Sequence, residues 1–237
     1  GEGPSRLPNV TAELSFQKGW FEVQDEGSQI VADLAEPREG DQVLDYCAGG
    51  GGKTLAMAAA MHNKGQVHAY DADRKRLAPI IERLRRAGTR NVQVHDGRAA
   101  LDALRERCDR VLVDAPCTGT GTWRRRPDTK WRLTAKNLDE RLAQQQEALD
   151  QAAAYVRPGG FLIYITCSIL PQENDAQALG FCERHPDYRI VPALDKWTQL
   201  FGVDAPKPRS RDGRLLTLTP ASTDTDGFFF ALMQRGA

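Results

Sequence analysis

The sequence predicts an α/β protein whose doubly wound, mostly parallel sheet finishes with an antiparallel pair of strands. Two observations predict this fold. Short apolar segments alternate with longer segments in which apolar residues recur about every 3.6 residues, the pattern of buried parallel strands separated by helices. The last two apolar segments are separated only by a polar loop, which indicates strands that run in opposite directions.

The elements follow in chain order. Asp25 is suited to cap a short helix over 28–35, and Glu36-Pro37 with Gly40 ends that helix. Strands are expected at 42–46, 66–70, 92–95, 110–113 and 161–166, and the antiparallel pair at 214–218 and 227–233. Helices are expected between the parallel strands at 53–62, 74–87, 98–106 and 138–156. Pro158, Gly159 and Gly160 are expected to end the last helix and to turn the chain into the next strand.

Length and composition limit the class of protein before any motif is considered. The chain has 237 residues, of which 41% are hydrophobic and 27% charged, as in one large globular domain and unlike a disordered or fibrous chain. The longest uncharged stretch, 158–172, is broken by proline and glycine and is too short for a membrane span. The 32 basic and 32 acidic residues give a net charge of zero, which is compatible with a local basic surface.

The cysteines favour a reducing compartment. They are five in number and include no CxxC pair, so they indicate free thiols and neither a disulfide framework nor a zinc site. Cys108 and Cys182 are expected to be packing residues. We therefore expect a cytoplasmic protein without a metal or a membrane.

Acids and thiols follow the ends of the predicted parallel strands. Such sheets bind ligands at the carboxyl ends of their strands, where the strand order reverses. The residues that the sequence brings to this edge are Asp45, Asp71, Asp73, Asp96, Asp114, Cys117 and Cys167.

Four glycines, Gly49 to Gly52, follow the first strand and open a helix. A phosphate-binding P-loop would need glycine at position 47, which is cysteine, and a dinucleotide-binding turn is matched only in part. S-Adenosylmethionine fits the pattern best. Asp71 is expected to accept hydrogen bonds from the ribose hydroxyls, and Asp96 from the adenine amine.

Cys117 and Cys167 lie just past the fourth and fifth predicted strands. A thiol near a methyl donor suits methylation of carbon 5 of a pyrimidine. That carbon is a poor nucleophile until a thiolate adds to carbon 6. Methyl transfer, loss of the carbon-5 proton and elimination of the thiol then follow.

Three blocks resemble the signatures of the RNA (cytosine-5) methyltransferases of the Nop/Sun family, closest to the bacterial RsmB (Sun, Fmu) branch. The blocks are Asp45-x-Cys47-Ala48-x-x-Gly51-Gly52-Lys53-Thr54, Asp114-Ala115-Pro116-Cys117-Thr118-Gly119 and Thr166-Cys167-Ser168. The resemblance extends from about Gln24 to Phe229 and so covers most of the chain. It implies a Rossmann-like S-adenosylmethionine-dependent methyltransferase fold, with residues 40–237 as the catalytic domain and 1–39 as an N-terminal extension whose short helix packs on it.

The resemblance also implies roles for individual residues. It makes Cys167 the nucleophile and Cys117 the thiol that assists product release, whereas DNA cytosine-5 methyltransferases use the Pro-Cys thiol, an ambiguity that composition and spacing leave open. Asp114 is expected to hold ring nitrogen 3 of the cytosine, and Lys53 to pair with Asp114 and orient it. The implied cofactor pocket consists of Cys47, Ala48, Gly49, Gly50, Gly51, Gly52, Lys53, Asp71, Arg76, Asp96 and Asp114.

The glycine loop departs from the family pattern at two positions. The family commonly has Ala and Pro where this chain has Gly49 and Gly50. The missing proline is expected to loosen the loop by roughly 0.4–1 kcal/mol through the entropy of the unfolded chain. We expect cofactor binding to be retained.

A basic segment follows Cys117. Residues 123–132 hold five basic residues, one acid and a tryptophan near each end. Cations beside aromatic rings suit phosphates and unstacked bases, although a solvated surface loop has the same composition. The residues expected to contact RNA are Arg124, Arg125, Arg126, Lys130 and Trp131.

The sequence thus predicts a monomeric enzyme that forms 5-methylcytosine, with small-subunit ribosomal RNA as the expected substrate and the target base flipped or single-stranded. Two other classes remain open. A P-loop nucleotide hydrolase would bind ATP or GTP with magnesium. A non-catalytic RNA-binding module would bind RNA without either thiol.

Overall fold

Residues 9–237 are described by a computed structural model with one eight-stranded sheet. Residues 1–8 of the expected N-terminal extension lie outside the described residues. The strands are β1 (Gln42–Asp45), β2 (Gln66–Ala69), β3 (Val92–Val94), β4 (Cys108–Asp114), β5 (Val156–Thr166), β6 (Tyr188–Val191), β7 (Leu216–Leu218) and β8 (Phe228–Arg235).

The strand order is β3-β2-β1-β4-β5-β8-β6, and β7 also pairs with β8. Neighbouring strands from β3 to β5 are parallel, whereas β8 runs antiparallel to β5, β6 and β7. The mostly parallel, doubly wound sheet with its antiparallel finish is therefore confirmed. Its order reverses between β1 and β4, which is where such sheets bind ligands.

Helices connect the strands on both sides of the sheet. They are α1 (Leu14–Gln17), α2 (Glu26–Leu34), α3 (Gly52–Ala60), α4 (Arg74–Leu77), α5 (Ile80–Arg86), α6 (Ala135–Ala153), α7 (Asp175–Arg184), α8 (Leu194–Phe201) and α9 (Pro220–Thr223). Short 3₁₀ segments occupy Val10–Ala12, Arg98–Leu104, Thr120–Thr122 and Pro127–Arg132. Among the helices of residues 9–237, none combines the length and the apolar character that a membrane crossing requires.

Two apolar layers enclose the sheet. Leu149 of α6 and Phe181 of α7 pack on one face, and Met57 of α3 and Trp197 of α8 belong to the layer on the other. Helix α2 contributes Val31 to the second layer, and the Asp25 side chain accepts a hydrogen bond from the Ser28 amide at its start, as predicted. The helix before residue 40 therefore packs into the same core as the sheet.

Three local predictions were wrong. The helix expected at 74–87 is split into α4 and α5 around Pro79, which has no amide hydrogen to donate. The segment 98–106 forms a 3₁₀ helix over Arg98–Leu104. Pro158, Gly159 and Gly160 lie inside β5, because α6 already ends at Ala153 and the glycines occupy an irregular stretch where the β4–β5 register shifts.

Candidate functional site

Two thiols meet beyond the ends of β4 and β5. These strands are parallel neighbours, with Asp114 opposite Ile165, so the loops that leave them start side by side. Cys117 follows β4, Cys167 follows β5, and their Sγ atoms are 3.3 Å apart. The two cysteines that the sequence brings to this edge therefore lie within hydrogen-bonding distance of each other.

Backbone and hydroxyl contacts fix the two loops against each other. The Gly121 amide donates to the Cys167 carbonyl over 3.0 Å, and the hydroxyls of Thr120 and Ser168 are 2.9 Å apart. Gly119, two residues after Cys117, has φ +70° and allows the sharp turn that returns the chain to Cys167. The sulfur–sulfur distance is thus set by the fold of both loops.

The two thiols have unequal acidity. The hydrogen bond from Cys117 lowers the pKa of Cys167, and Lys53 also lowers it, against the opposing effects of burial and Asp114. The same hydrogen bond, together with burial, raises the pKa of Cys117 well above its ordinary value. These effects favour ionisation of Cys167, with Cys117 as its hydrogen-bond donor.

Lys53 and Asp114 form the expected ion pair beside the thiols. Lys53 Nζ is 2.7 Å from Asp114 Oδ2, and the lysine side chain is only 8% exposed against 31% for the aspartate. The ring of Phe228 lies 5.4 Å from the ammonium. The lysine is thus held from two sides and fixes the open carboxylate of Asp114 at the mouth of β4.

The glycine loop wraps closely around the end of β1. Gly51 has φ +82°, and a Cβ atom there would lie 2.4 Å from Cγ1 of Ile80, so only glycine fits. The Gly49 amide donates to Asp71 Oδ2 over 2.9 Å. Arg83 Nη1 donates to the Gly50 carbonyl over 2.6 Å. These contacts bind Gly49 and Gly50 to Asp71 and Arg83.

Asp71 and Asp45 lie beneath this loop. Asp71 is 5% exposed, accepts from the amides of Gly49 and Asp73, and has Arg76 Nη1 at 3.9 Å. Asp45 is 1% exposed and accepts from the Thr54 hydroxyl at Oδ2, while its Oδ1 has no hydrogen-bond partner. Burial raises the pKa of Asp45 to about 7. Asp45 lines neither of the two cavities at this site, whereas Asp71 lines the larger one.

A cavity of about 690 Å³ connects these groups, and a second of about 240 Å³ adjoins it at the glycine loop. The larger cavity is lined by Cys47, Asp71, Arg76, Asp114, Cys117 and Cys167 among the predicted residues. The smaller is lined by Cys47, Ala48, Gly49, Gly50, Gly52, Lys53, Arg76 and Asp114. The structure therefore brings the thiols and most of the predicted cofactor residues to one continuous depression.

Two predicted cofactor residues do not line these cavities. Gly51 is buried against Ile80. Asp96 is exposed just after β3 and contacts neither cavity, so its role toward a ligand stays a prediction.

Further residues of the larger cavity have no counterpart in the sequence analysis. Tyr46 and Tyr70 contribute rings that lie 5.1 Å apart, and α6 contributes Arg141, Gln144 and Gln151. The polar side of α6 is the only signal in the sequence for the last three, and it does not distinguish a cavity wall from a solvated face.

The basic segment at 123–132 is only partly free for a ligand. Arg124 Nε lies 3.2 Å from Asp226 Oδ1, and Arg125 bonds the other oxygen of this fully buried carboxylate. Arg126 is exposed, and Trp131 is 82% exposed. Lys130 Nζ lies between rings, 5.6 Å from the ring centroid of Trp131. The first two arginines thus anchor the segment, and Arg126, Lys130 and Trp131 form its open part.

The described residues contain no group of three or more His, Cys, Asp or Glu side chains arranged to hold a metal ion.

Two curated relatives of this chain carry the name ribosomal RNA small subunit methyltransferase B. A probable ribosomal RNA small subunit methyltransferase B from Synechocystis sp. is 34% identical over 95% of this chain and 50% of its own length. Ribosomal RNA small subunit methyltransferase B from Cronobacter sakazakii is 37% identical over 94% of this chain and 48% of its own length. The chain therefore spans about half the length of the curated relatives it matches.

A solved structure has the same fold. The crystal structure of NSun6 from Pyrococcus horikoshii, determined with SFG, matches with a TM-score of 0.82 and 29% identity, over 98% of this chain and 57% of that chain. Residues 32–234 match the family described as 16S rRNA methyltransferase RsmB/F. The thiol pair, the glycine loop and these matches agree, and the chain belongs to the RsmB/F family of 16S rRNA methyltransferases.

Proposed function

We propose that this chain is the catalytic part of an enzyme that uses S-adenosylmethionine to form 5-methylcytosine in RNA, with small-subunit ribosomal RNA as the substrate. The observation that carries the proposal is the 3.3 Å contact between Cys117 and Cys167. The two thiols lie next to the Lys53–Asp114 pair and line the larger cavity, which shares Cys47, Arg76 and Asp114 with the smaller cavity at the glycine loop. The names of the curated relatives support the choice of RNA.

The residues around the glycine loop fit this cofactor. S-Adenosylmethionine carries a sulfonium and an ammonium group, and two carboxylates, Asp71 and Asp114, line the cavities at this end of the sheet. Asp71 lines the larger cavity and keeps lone pairs for ribose hydroxyls. The same carboxylates would repel a nucleoside triphosphate, and Lys53 already bonds Asp114, which argues against a P-loop hydrolase. When bound, the cofactor supplies the methyl group to carbon 5.

Cys167 acts on the base. Its thiolate adds to carbon 6 of the cytosine, a C–S bond forms, and the electron pair moves to carbon 5. Asp114 lies at the end of β4, where its carboxyl group can hold a proton, taken up with the base, on ring nitrogen 3. This proton offsets the negative charge that thiolate addition places on the ring, while Lys53 keeps the carboxyl group in position. The hydrogen bond from Cys117 lowers the pKa of Cys167 and so favours its thiolate before the attack.

Cys117 acts on product release. Water accepts the proton that leaves carbon 5, the C6–S bond breaks, and the electron pair of that bond returns to Cys167 Sγ. Cys117 donates its hydrogen bond to the departing sulfur over the same 3.3 Å and stabilises it as a thiolate.

The test is incubation of the chain with labelled S-adenosylmethionine and unmodified small-subunit ribosomal RNA, followed by mapping of the modified base. We expect label on carbon 5 of a cytosine, none with Cys167→Ala, and normal labelling with Cys182→Ala, which removes a thiol packed against the core away from the cavity. Cofactor binding should survive Cys167→Ala. Full transfer by Cys167→Ala would overturn the assignment of the nucleophile, and label on any other atom would overturn the reaction.

A further inference from the structure

Glu173 is a buried carboxylate directly behind the thiol pair. It is 0% exposed, precedes α7 and does not line either cavity of the site. Its Oε1 accepts from the Thr118 amide over 2.8 Å and from Gln145 Nε2 over 2.9 Å, and its Oε2 accepts from the Thr118 hydroxyl. Three hydrogen-bond donors therefore hold this one carboxyl group in place.

These contacts hold the loop on both sides of Cys117. Thr118 follows the cysteine directly. Gln145, which bonds Glu173, also donates to the carbonyl of Pro116 over 3.0 Å, and Pro116 precedes the cysteine. The position of Cys117 Sγ therefore depends on the Glu173 carboxylate.

The next residue does the same for the other loop. Asn174 accepts from the Thr166 hydroxyl over 2.6 Å and donates to the Ser168 carbonyl over 2.9 Å. Thr166 and Ser168 flank Cys167. One dipeptide, Glu173-Asn174, thus fixes both thiol loops and the distance between them.

The charged groups around the two thiols differ. Cys167 is faced by Lys53 and Arg125, both cations, and by Asp114. Cys117 is faced by Cys167, by Glu173 and by the phenol of Tyr164. Among residues 9–237, Glu173 has no cationic partner within ion-pair distance, so hydrogen-bond donors alone offset its charge beside Cys117.

We propose that Glu173 is a positioning residue that makes the two thiols unequal: it holds Cys117 in place as the protonated partner, so that Cys167 is the sulfur that attacks. This inference rests on the proposed function, in which only one thiol adds to the base. It gives a physical reason, from the surroundings of each sulfur, for the choice between two thiols that sequence spacing leaves open.

The test measures each thiol directly. Trace labelling with iodoacetamide over about pH 6 to pH 10, followed by peptide mass spectrometry, gives the initial alkylation rate of each cysteine as a function of pH. In the wild-type chain we expect Cys167 to react at lower pH than Cys117. In Glu173→Gln we expect the rate of Cys117 near pH 8 to rise by about tenfold and the difference between the thiols to shrink. The exposed Glu183→Gln on α7 makes the same chemical change and should alter neither rate.

A second variant separates charge from packing. Glu173→Asp keeps the charge but shortens the side chain, so we expect Cys167 still to react first while turnover falls. Circular dichroism shows whether Glu173→Gln folds. If it does not fold, the inference is judged by which cysteine is alkylated at lower pH in the wild-type chain and in Glu173→Asp. Three outcomes would each overturn the inference. They are alkylation of Cys117 at lower pH than Cys167 in the wild type, an unchanged difference between the two rates in folded Glu173→Gln, and equal rates in Glu173→Asp.

The labelling requires neither RNA nor cofactor. If the alkylation rates of the two cysteines differ and that difference shrinks in Glu173→Gln, but the chain transfers no methyl group, the proposed function alone is wrong. If the chain transfers methyl groups but Glu173→Gln leaves both alkylation rates unchanged, only the role of Glu173 is wrong.

Discussion

At the scale of single residues, the sequence is most informative about side chains that follow strand ends. Asp114, Cys117 and Cys167 could be predicted to meet because parallel neighbouring strands bring their carboxyl ends to one edge. Glu173 and Asp226 could not, because their importance lies in contacts with Thr118 and Arg125, which are 55 and 101 residues away along the chain. A buried carboxylate has no local signature, so only the folded arrangement identifies it.

The division of labour between the two thiols gives the first prediction at this scale. Without the Cys117 side chain, the adduct between Cys167 and RNA should still form but should break down slowly, because nothing stabilises the departing sulfur. Cys117→Ala should therefore accumulate a covalent protein–RNA species that appears as a shifted band on a denaturing gel. Cys117→Ala/Cys167→Ala should give no such band. Normal turnover by Cys117→Ala without a shifted band would remove Cys117 from the mechanism.

At the scale of elements, all four strands expected in the first half of the chain form, whereas the segment between β5 and β7 was not predicted. No element is predicted from 167 to 213, whereas the structure has α7, β6 and α8 there. Strand β6 is only four residues long and half exposed, so it has neither the length nor the alternation of a recognisable strand. It forms because the far end of β8 presents an open edge with which it pairs.

A buried histidine pair joins β2 to the end of β3 and makes the stability of this edge depend on pH. His68 Nδ1 and His95 Nε2 are 2.9 Å apart, and His68 Nε2 donates to Gln42 Oε1 over 3.2 Å in the tautomer that satisfies both contacts. Burial, with a contribution from His95, lowers the pKa of His68 from 6.5 to about 4. Burial also lowers the pKa of His95. Both rings are therefore neutral in the folded protein at neutral pH.

The sign of the effect follows from proton binding. Between pH 6.5 and about pH 4 the unfolded chain binds protons at these rings and the folded chain does not, so the free energy of unfolding falls as the pH is lowered through this window. Asp45, with its raised pKa, acts in the opposite direction, so the comparison must be between variants. Urea denaturation of His68→Gln should show a flatter pH dependence than the wild type. The exposed His62→Gln should match the wild type, and equal slopes in all three chains would refute the assignment.

At the scale of the whole molecule, the equal numbers of basic and acidic residues, 32 of each, do not show which cations are paired and which are free to bind a ligand. Arg124 and Arg125 neutralise the buried Asp226, whose neighbour Gly227 donates its amide to the Gly121 carbonyl over 2.8 Å. These arginines therefore tie β8 to the loop after Cys117. Composition could not separate them from cations that remain open, since all lie in one basic segment.

The open part of that segment gives the last prediction. Arg126 and Lys130 make no ion pair among the residues that the structure describes, and Trp131 beside them is available to stack on a base. Arg126→Gln with Lys130→Gln should weaken binding to single-stranded RNA and lower the slope of log K against log salt by about 1.4, because each phosphate contact contributes about 0.7.

The matched control replaces Arg124 and Arg125, the two arginines that bond Asp226, with glutamine. Arg124→Gln with Arg125→Gln leaves Asp226 buried without a cation and should reduce the free energy of unfolding by about 2–3 kcal/mol, whereas the Arg126 and Lys130 changes should leave it within about 0.5 kcal/mol. Filter binding across a salt series and urea denaturation measure the two effects separately. If the Arg126 and Lys130 variant kept the wild-type salt slope, this surface would be a solvated loop, and the RNA path would have to run along another wall of the cavity.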